Sequence, residues 1–397
     1  MISTAVVLAG GQGKRLRPLT YVTPKPLIPV GNEPLLGHIL HFLKLNGVKR
    51  VIVVVNYLGE QVKKYVEERE WGLEVWVCSK RPLDTADAVR RCRHMLPEGE
   101  PFFVVMGDVL TNMNIREMGE FHVSSGSFAT IALKAVDNPL EYGLVLLSDD
   151  GLIELFLEKP LSLEIYLLTI AYHRKRSKSF YSNLVNTGFY AFDYRIVDIL
   201  EKEYFLMDFG RHVFPYLLES GYKVMGWDLG DAYWKDLGRP SSYLEAHKDL
   251  LAGKIKPLRP RGRLVEPEGV WVEEDVEVEG LVIPPAVLGK GVRIGSNAVV
   301  GPYASLGAGT RVGAGAHIKN SIVWDNVEIG AGSVLDGCIV ASGAVIGREA
   351  RLGPNTVVGH SSVIKDGVKV MGAFIVSSNI HLVEKREIMV DGELPTS

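Results

Sequence analysis

The stretch "VVLAGGQGKRLRPLTYVTPKPL" (residues 6–27) sets Gly10, Gly11 and Gly13 behind a short apolar run, with Lys14, Arg15, Arg17 and Lys25 following. Glycines lack a Cβ, so their N–H groups can approach an anion closely. Arginine grips phosphate through two N–H bonds, and lysine adds a compact point charge. Pro18, Pro24, Pro26 and Pro29 stiffen the segment and pre-position those charges. Phosphate binding is the chemistry this pattern offers. The spacing is not a Walker A loop, and with Leu16 after Gly13 it is not the dinucleotide fingerprint either. A plain strand-to-helix turn would carry the same glycines; Arg15 and Lys25 favour the anion site.

Acidic residues stand at two other apolar segments. "VVMGDV" puts Asp108 just past a buried run, and "YWKDLGRP" supplies Asp236. "FLEKP" places Glu158 beside Lys159. Taken alone, Asp108 reads first as a turn residue or helix cap, and Glu158-Lys159 as a solvated strand end.

Elements must position these groups. With 397 residues, two domains are expected. The 47% hydrophobic and 23% charged residues are those of a soluble globular protein, and a net charge of −3 calls for neither nucleic acid nor an anionic membrane. Cys78, Cys92 and Cys338 are odd in number and far apart, which points to a reducing, cytoplasmic compartment. No apolar run approaches the ~20 residues that span a bilayer. In the first half, Val- and Phe-rich runs at 4–10, 48–56, 73–77 and 101–108 alternate with helix-like stretches at 35–47, 59–70 and 85–96. The alternation predicts a Rossmann-like α/β fold, a mainly parallel sheet with helices on both faces. Ligands then sit beyond the carboxyl ends of the strands.

The second half has a different period. Every sixth residue from Val270 to Ile318 is aliphatic; the phase slips by one to give Val323, Ile329 and Leu335, then again to give Val340 through Val370. Neither a helix nor an ordinary strand has this period. It is the mark of a parallel β-helix of hexapeptide repeats, expected to be left-handed, with one inward aliphatic residue per face. The expected boundaries are a catalytic domain over 1–253, a Pro-, Gly- and Arg-rich linker over 254–269, the β-helix over 270–372 and a tail over 373–397.

Together, "GGQGKRLRPLT…PKPL", "VVMGDV", "EYGLV", "FLEKP", "NTGFY" and "YWKDLGRP", in that order, resemble the sugar-1-phosphate nucleotidyltransferases. Lys14 stands where that family commonly has threonine. The resemblance covers nearly the whole chain. It implies a nucleotide site drawn from Leu8, Ala9, Gly10, Gly11, Gly13, Lys14, Arg15, Lys25, Pro82, Thr85 and Gly107. It implies a sugar-phosphate site from Gly143, Glu158, Lys159, Asn186 and Thr187, and a Mg²⁺ held by Asp108 and Asp236. Arg15, Lys25, Asp108, Lys159 and Asp236 would carry the catalysis. A triphosphate and a sugar 1-phosphate are the implied partners. A homo-oligomer, formed through the β-helix or the 161–185 insertion, is also expected.

Within the family, the catalytic half followed by hexapeptide repeats, with "DFGRHVFPYLLESG", most resembles members that convert GTP and mannose 1-phosphate to GDP-mannose and pyrophosphate. Uridylyl or thymidylyl transfer to glucose 1-phosphate shares every anionic-site residue named. Two further readings stay open: a non-catalytic regulator that binds nucleotide sugar, and an added acetyltransferase using His317, His360 or His381 as base. "RPLDTADAV" departs from the family's glycine-rich loop, with Asp84 and Asp87 in place of two glycines. These carboxylates either cap the following helix or accept hydrogen bonds from guanine. The basic "RKRSK" (174–178) in the insertion reads as a phosphate contact or a solvated turn.

Overall fold

The computed structural model describes residues 2–161, 183–265, 269–372, 375–379, 381–382 and 387–389. Residues 162–182 of the 161–185 insertion, its basic run included, and most of the 373–397 tail therefore lie outside the described residues. The chain packs as two compact units, Met1–Gly11 with Ile39–Trp234, and Gln12–His38 with Lys235–Ser397. Residues 12–38, expected with the first half, thus pack with the repeats.

In the first unit, β1 (Thr4–Leu8), β2 (Arg50–Val54), β3 (Glu74–Cys78) and β4 (Phe102–Met106) form a parallel core in the order β4-β1-β2-β3. Then come β5 (Ala129–Ala135), β6 (Gly143–Leu147), β7 (Ile153–Glu158), β8 (Leu184–Phe192) and β9 (Val224–Asp228). Strand β8 runs antiparallel to β4, β5 and β6, β7 runs antiparallel to β6, and β9 is parallel to β5. The sheet is mixed, with the expected parallel order confined to its core.

Neighbouring residues of a strand point to opposite faces, and helices cover both. Val6, Ile52, Phe102 and Val104 share one cluster with Ala86 and Val89 of α3 (Thr85–Cys92), Ile196 and Leu200 of α5 (Ile196–Lys202) and Phe214 of α6 (Phe214–Glu219). Phe192 stacks there on Phe209, with ring centroids 5.2 Å apart. Phe103 points the other way, where a Cβ on Gly119 of α4 (Ile115–Ser124) would come within 2.8 Å of its ring. Phe42 of α1 (Leu35–Leu45) meets Phe189 edge-on at 6.1 Å on that second face. Helix α2 (Gly59–Glu67) precedes β3. The parallel strands end together at Leu8, Val54 and Met106, delivering the following loops to one edge.

In the second unit the six-residue period forms three parallel sheets, each receiving one short strand per coil. All eighteen aliphatic positions face inward: Val276 and Val282 are partly buried against the cluster, and the other sixteen are within it. The slips are real changes in coil length: Leu288 pairs with Leu306, but Leu306 with Val323 and Val323 with Val340. The 254–269 stretch is no free linker. Ile255 and Leu258 are buried, and Arg263–Val265 pairs antiparallel with the first coil.

One outer face of the repeats is covered from within the same unit. Val287, Ser305, Ile322, Ile339 and Val357 are all buried. Asn32 Nδ2 donates to Leu306 O at 2.8 Å, and Ser305 Oγ donates to Asn32 Oδ1. Gly31 and Asn32 both have positive φ, 57° and 63°, the tight hairpin turn that aims this side chain. Trp324 Nε1 donates at 3.1 Å to the hydroxyl of Tyr243 on α7 (Pro240–Leu251).

Each unit also buries a neutral imidazole. Burial brings His122 down to about 4; burial, then His38 and Lys248, bring His247 to about 3. The unfolded chain protonates both near the ordinary value of about 6.5. This stabilisation is complete above that value and is lost as pH falls toward the folded values. Acidifying from about pH 7.5 to about pH 5.5 should lower the urea midpoint, each histidine contributing about 1 kcal/mol. His122→Gln should flatten that slope; an unchanged midpoint in the unsubstituted protein would contradict the neutral buried state.

Candidate active site

In the first unit the strand ends are drawn close. Gly107 N donates to Leu8 O at 2.9 Å, and a Cβ on Gly107 would lie 2.6 Å from that oxygen, so only glycine fits. Ala9 N donates to Val54 O at 2.9 Å. Gly10 packs against Asn56, whose Nδ2 donates to Pro82 O at 2.9 Å. A Cβ on Gly11 would meet nothing within 4 Å. Asn56 thus ties the glycine turn to the Pro82 loop, a role its place after a valine run did not announce. Asp108 follows Gly107, half-buried.

The N-terminus of α3 is closed by the protein itself. Asp84 is its N-cap and accepts from Thr85 N at 2.9 Å. Met207 O accepts from Ala86 N at 2.8 Å and from Asp87 N at 3.2 Å. Asp87 is buried and accepts from Leu83 N, Arg90 and Arg91. Burial alone would raise its carboxyl, but Arg91, the Leu83 N–H and Arg90 together hold it below the usual range. The two departures from the glycine-rich loop therefore act as helix caps and ties, and this helix end has no N–H group left for phosphate. The Thr85 hydroxyl is likewise engaged, donating to Asp208 Oδ2 at 2.9 Å and accepting from Phe209 N at 3.0 Å.

Asp208 opens a π-helical turn, Phe209–Val213, and caps it by accepting from Arg211 N at 2.8 Å. The turn sets Gly210 against Glu158, where a Cβ would lie 2.5 Å from Glu158 Oε2. The same oxygen would lie 2.9 Å from a Cβ on Gly143, with Asn186 Cβ at 3.3 Å. Gly143, Glu158, Asn186 and Gly210 therefore share one small region. Burial raises the Glu158 carboxyl, Lys159 lowers it and Asp208 raises it. Asn186 Nδ2 donates to the Tyr190 hydroxyl at 3.0 Å, and its Oδ1 accepts from Gly188 N at 3.0 Å, closing a bulge in β8. Lys159 is exposed with φ 46°, an uncommon backbone state for lysine and one found at functional positions. The Thr187 hydroxyl is buried and donates to Ala132 O at 2.7 Å. Asp208 and Gly210 lie in the "DFG" that sequence reading used only as a likeness.

In the second unit, residues far apart in sequence meet. Lys25 Nζ lies 3.2 Å from Asp236 Oδ1, and Arg15 Nη2 lies 3.4 Å from Asp236 Oδ2. Lys25 is only 6% exposed, whereas Arg15 and Lys14 are exposed. Gly13 has φ 58°, and a Cβ there would crowd Thr20 at 2.9 Å and Lys25 at 3.2 Å. Thr20 Oγ1 donates to Gly13 O at 2.8 Å and closes the loop on itself. Gly238, which sequence reading passed over, is required here: its Cβ would lie 2.6 Å from Arg15 Nη2 and 2.7 Å from Asp236 Oδ2. The glycine two residues after Asp236 in "YWKDLGRP" carried that signal. His360, considered above as a base, is buried and bonds to Leu19 O at 3.1 Å, which removes it from that role. His317 is exposed on the coil.

Carboxylates suit a hard divalent cation. Among the described residues no group of three or more His, Cys, Asp or Glu side chains could hold a metal. Mg²⁺ is usually held by one or two carboxylates completed by waters and phosphate oxygens. Asp108 fits this description. Asp236 is likewise a carboxylate, and its two oxygens face Lys25 and Arg15.

The nucleotidyl transferase family matches residues 4–253, and the GMPPB C-terminal domain matches residues 282–387. The chain is similar to the mannose-1-phosphate guanylyltransferase catalytic subunit beta of Drosophila pseudoobscura pseudoobscura, 33% identical over 376 residues, 94% of this chain and 92% of that one. It is also similar to mannose-1-phosphate guanylyltransferase 1 of Arabidopsis thaliana, 31% identical over 303 residues, 75% of this chain and 76% of that one. The mannose-1-phosphate guanyltransferase of Saccharomyces cerevisiae is 31% identical over 258 residues, 63% of each chain. Because the match runs through the loop bearing Arg15 and Lys25 and on into the repeats, the chain belongs to the nucleotidyl transferase family of enzymes.

Proposed function

We propose that the enzyme joins GTP to mannose 1-phosphate, forming GDP-mannose and releasing pyrophosphate. The observation that carries the nucleotidyl-transfer part is the convergence of Lys25 and Arg15, from one glycine-rich loop, on Asp236. Guanine and mannose enter on the names of the relatives. A cytoplasmic setting belongs to the same reading, since Cys78, Cys92 and Cys338 are buried free thiols.

In this reading a phosphate oxygen of the sugar 1-phosphate forms a bond to the α-phosphorus of the triphosphate. The bond from that phosphorus to the bridging oxygen of the β-phosphate breaks, and pyrophosphate leaves with the electron pair. Both reactants are polyanions, so the protein's work is positioning and charge compensation. Asp236 keeps Arg15 and Lys25 compensated before substrate arrives; phosphate oxygens then compete for the same two cations and take up the leaving charge. Lys159 meets the sugar phosphate, and Glu158 and Asn186 meet the sugar. No general base is needed, because a phosphate monoester is already ionised near neutrality. Mg²⁺, when bound, further neutralises phosphate oxygens, and Asp108 and Asp236 are the carboxylates that would hold it.

A matrix of triphosphates against hexose 1-phosphates, read by pyrophosphate release, should show GTP with mannose 1-phosphate as the best pair. Preference for another base or sugar would overturn the specific assignment. Lys159→Ala should raise KM for the sugar phosphate at least about tenfold and leave the triphosphate KM within about threefold; equal rises would remove its role. Gly238→Ala should cut kcat/KM by about ten- to a hundredfold, about 1.4–2.7 kcal/mol, by prising Arg15 from Asp236. A variant within twofold of the parent would show that the pairing is dispensable.

A further inference from the structure

The loop that carries the cation pair is irregular. Between Gly13 and Pro29 it makes only short 3₁₀ turns, Lys14–Leu16, Leu19–Tyr21 and Lys25–Leu27. Such turns hold few backbone bonds of their own. Two contacts from elsewhere in the second unit bracket Lys25. His360, on the repeats, bonds through Nε2 to Leu19 O at 3.1 Å. The Tyr243 hydroxyl donates to Pro29 O. Trp324, also on the repeats, links the two grips: its indole N–H donates to Tyr243 Oη at 3.1 Å, and its ring meets the His360 ring edge-on at 5.4 Å. All three side chains are buried.

We propose that His360 is a positioning residue for nucleotidyl transfer, by which the β-helix sets the Arg15–Lys25 loop in its triphosphate-binding form. The inference rests on the function proposed above. A carbonyl only accepts, so His360 carries its proton on Nε2, and burial, opposed by this hydrogen bond, keeps the ring neutral by lowering its pKa. Force passes along a short route. Leu19 O is held by His360; the next residue, Thr20, donates to Gly13 O; Gly13 packs on Thr20 and Lys25; Lys25 and Arg15 share Asp236. Without His360, Leu19 O keeps only the N–H groups of its own turn, from Val22 and Thr23, and loses its tie to the repeats, while Tyr243 still holds the far end of the loop. The effect should fall on the ligand that the two cations face and spare the sugar phosphate, which Lys159 meets in the other unit.

Two full-length variants test this. His360→Leu keeps an apolar side chain against Trp324 and removes the donor, whereas His360→Gln restores an N–H donor. His360→Leu should raise the triphosphate KM by about three- to tenfold, the loss expected for one buried hydrogen bond, with the sugar-phosphate KM within about threefold. Amide exchange across residues 12–25 should quicken in the same variant, and His360→Gln should recover most of both losses. Unchanged exchange and KM in His360→Leu would overturn the proposal. Equal loss in both variants with a lowered Tm would also overturn it, by showing that the imidazole serves packing alone. If the parent protein releases pyrophosphate from no pair of substrates, the function proposed above fails, while exchange at the loop still decides whether His360 holds it.

Discussion

A buried lysine and the aspartate that faces it set the terms for the second unit. An ammonium group taken out of water costs several kcal/mol unless it is paired. Lys25 is almost wholly buried, and its Nζ faces Asp236 at 3.2 Å. Regular structure does little to hold either residue, since Lys25 lies in a single 3₁₀ turn and Asp236 is the last residue of the three-residue strand Trp234–Asp236. The glycines are therefore as necessary as the charges. Gly13 takes a left-handed backbone so that Lys25 can fold back, and Gly238 leaves the space in which Arg15 reaches the same carboxylate. Adding a single methyl group at either position would separate charges that must stay together.

The repeats explain how so irregular a loop can be held. A coil of hexapeptides consumes its inward positions in its own core, but each sheet also presents an outer face. On one sheet that face is buried, with Asn32, Leu19 and Tyr243 engaging Ser305, Leu306, His360 and Trp324. Successive coils rise by about the spacing of neighbouring strands, ~4.8 Å. A row of fixed side chains on such a ladder is a stiff ruler for a loop whose own backbone bonds are confined to short turns. This accounts for residues 12–38 packing with a segment that begins more than two hundred positions later.

How much could be read in advance follows from the range of each interaction. The six-residue period is local and repeats, so its register could be written down residue by residue, including both slips. The parallel core was legible because runs such as "RVIVV" are buried on both faces and need no partner to be recognised. The glycine-rich loop and its cations were legible as types. Their partners were not. Asn56, Thr20, Asp208, Gly238 and His360 act through one or two contacts outside any repeating pattern, and a lone polar residue or glycine leaves no periodic trace. Asp84 and Asp87 were ambiguous for a related reason: the same carboxylate serves a helix end or a base, and only the position of Met207 O and Arg91 decides.

That decision bears on where positive charge must come from. A helix N-terminus is a ready anion site because its first N–H groups lack partners. In α3 those groups are given to Asp84 and Met207, and Asp87 adds a negative charge one turn in. The helix cannot then act as the phosphate holder, and two carboxylates beside it make the region less hospitable to a polyanion. In the proposed reaction, charge compensation would fall to side chains on the Gly13–Lys25 loop. Side chains reach further than a helix end but lose more freedom when fixed, up to about 2 kcal/mol for a long cation. A scheme that relies on them needs the loop beneath them held from outside, and in the second unit Trp324, Tyr243 and His360 hold it.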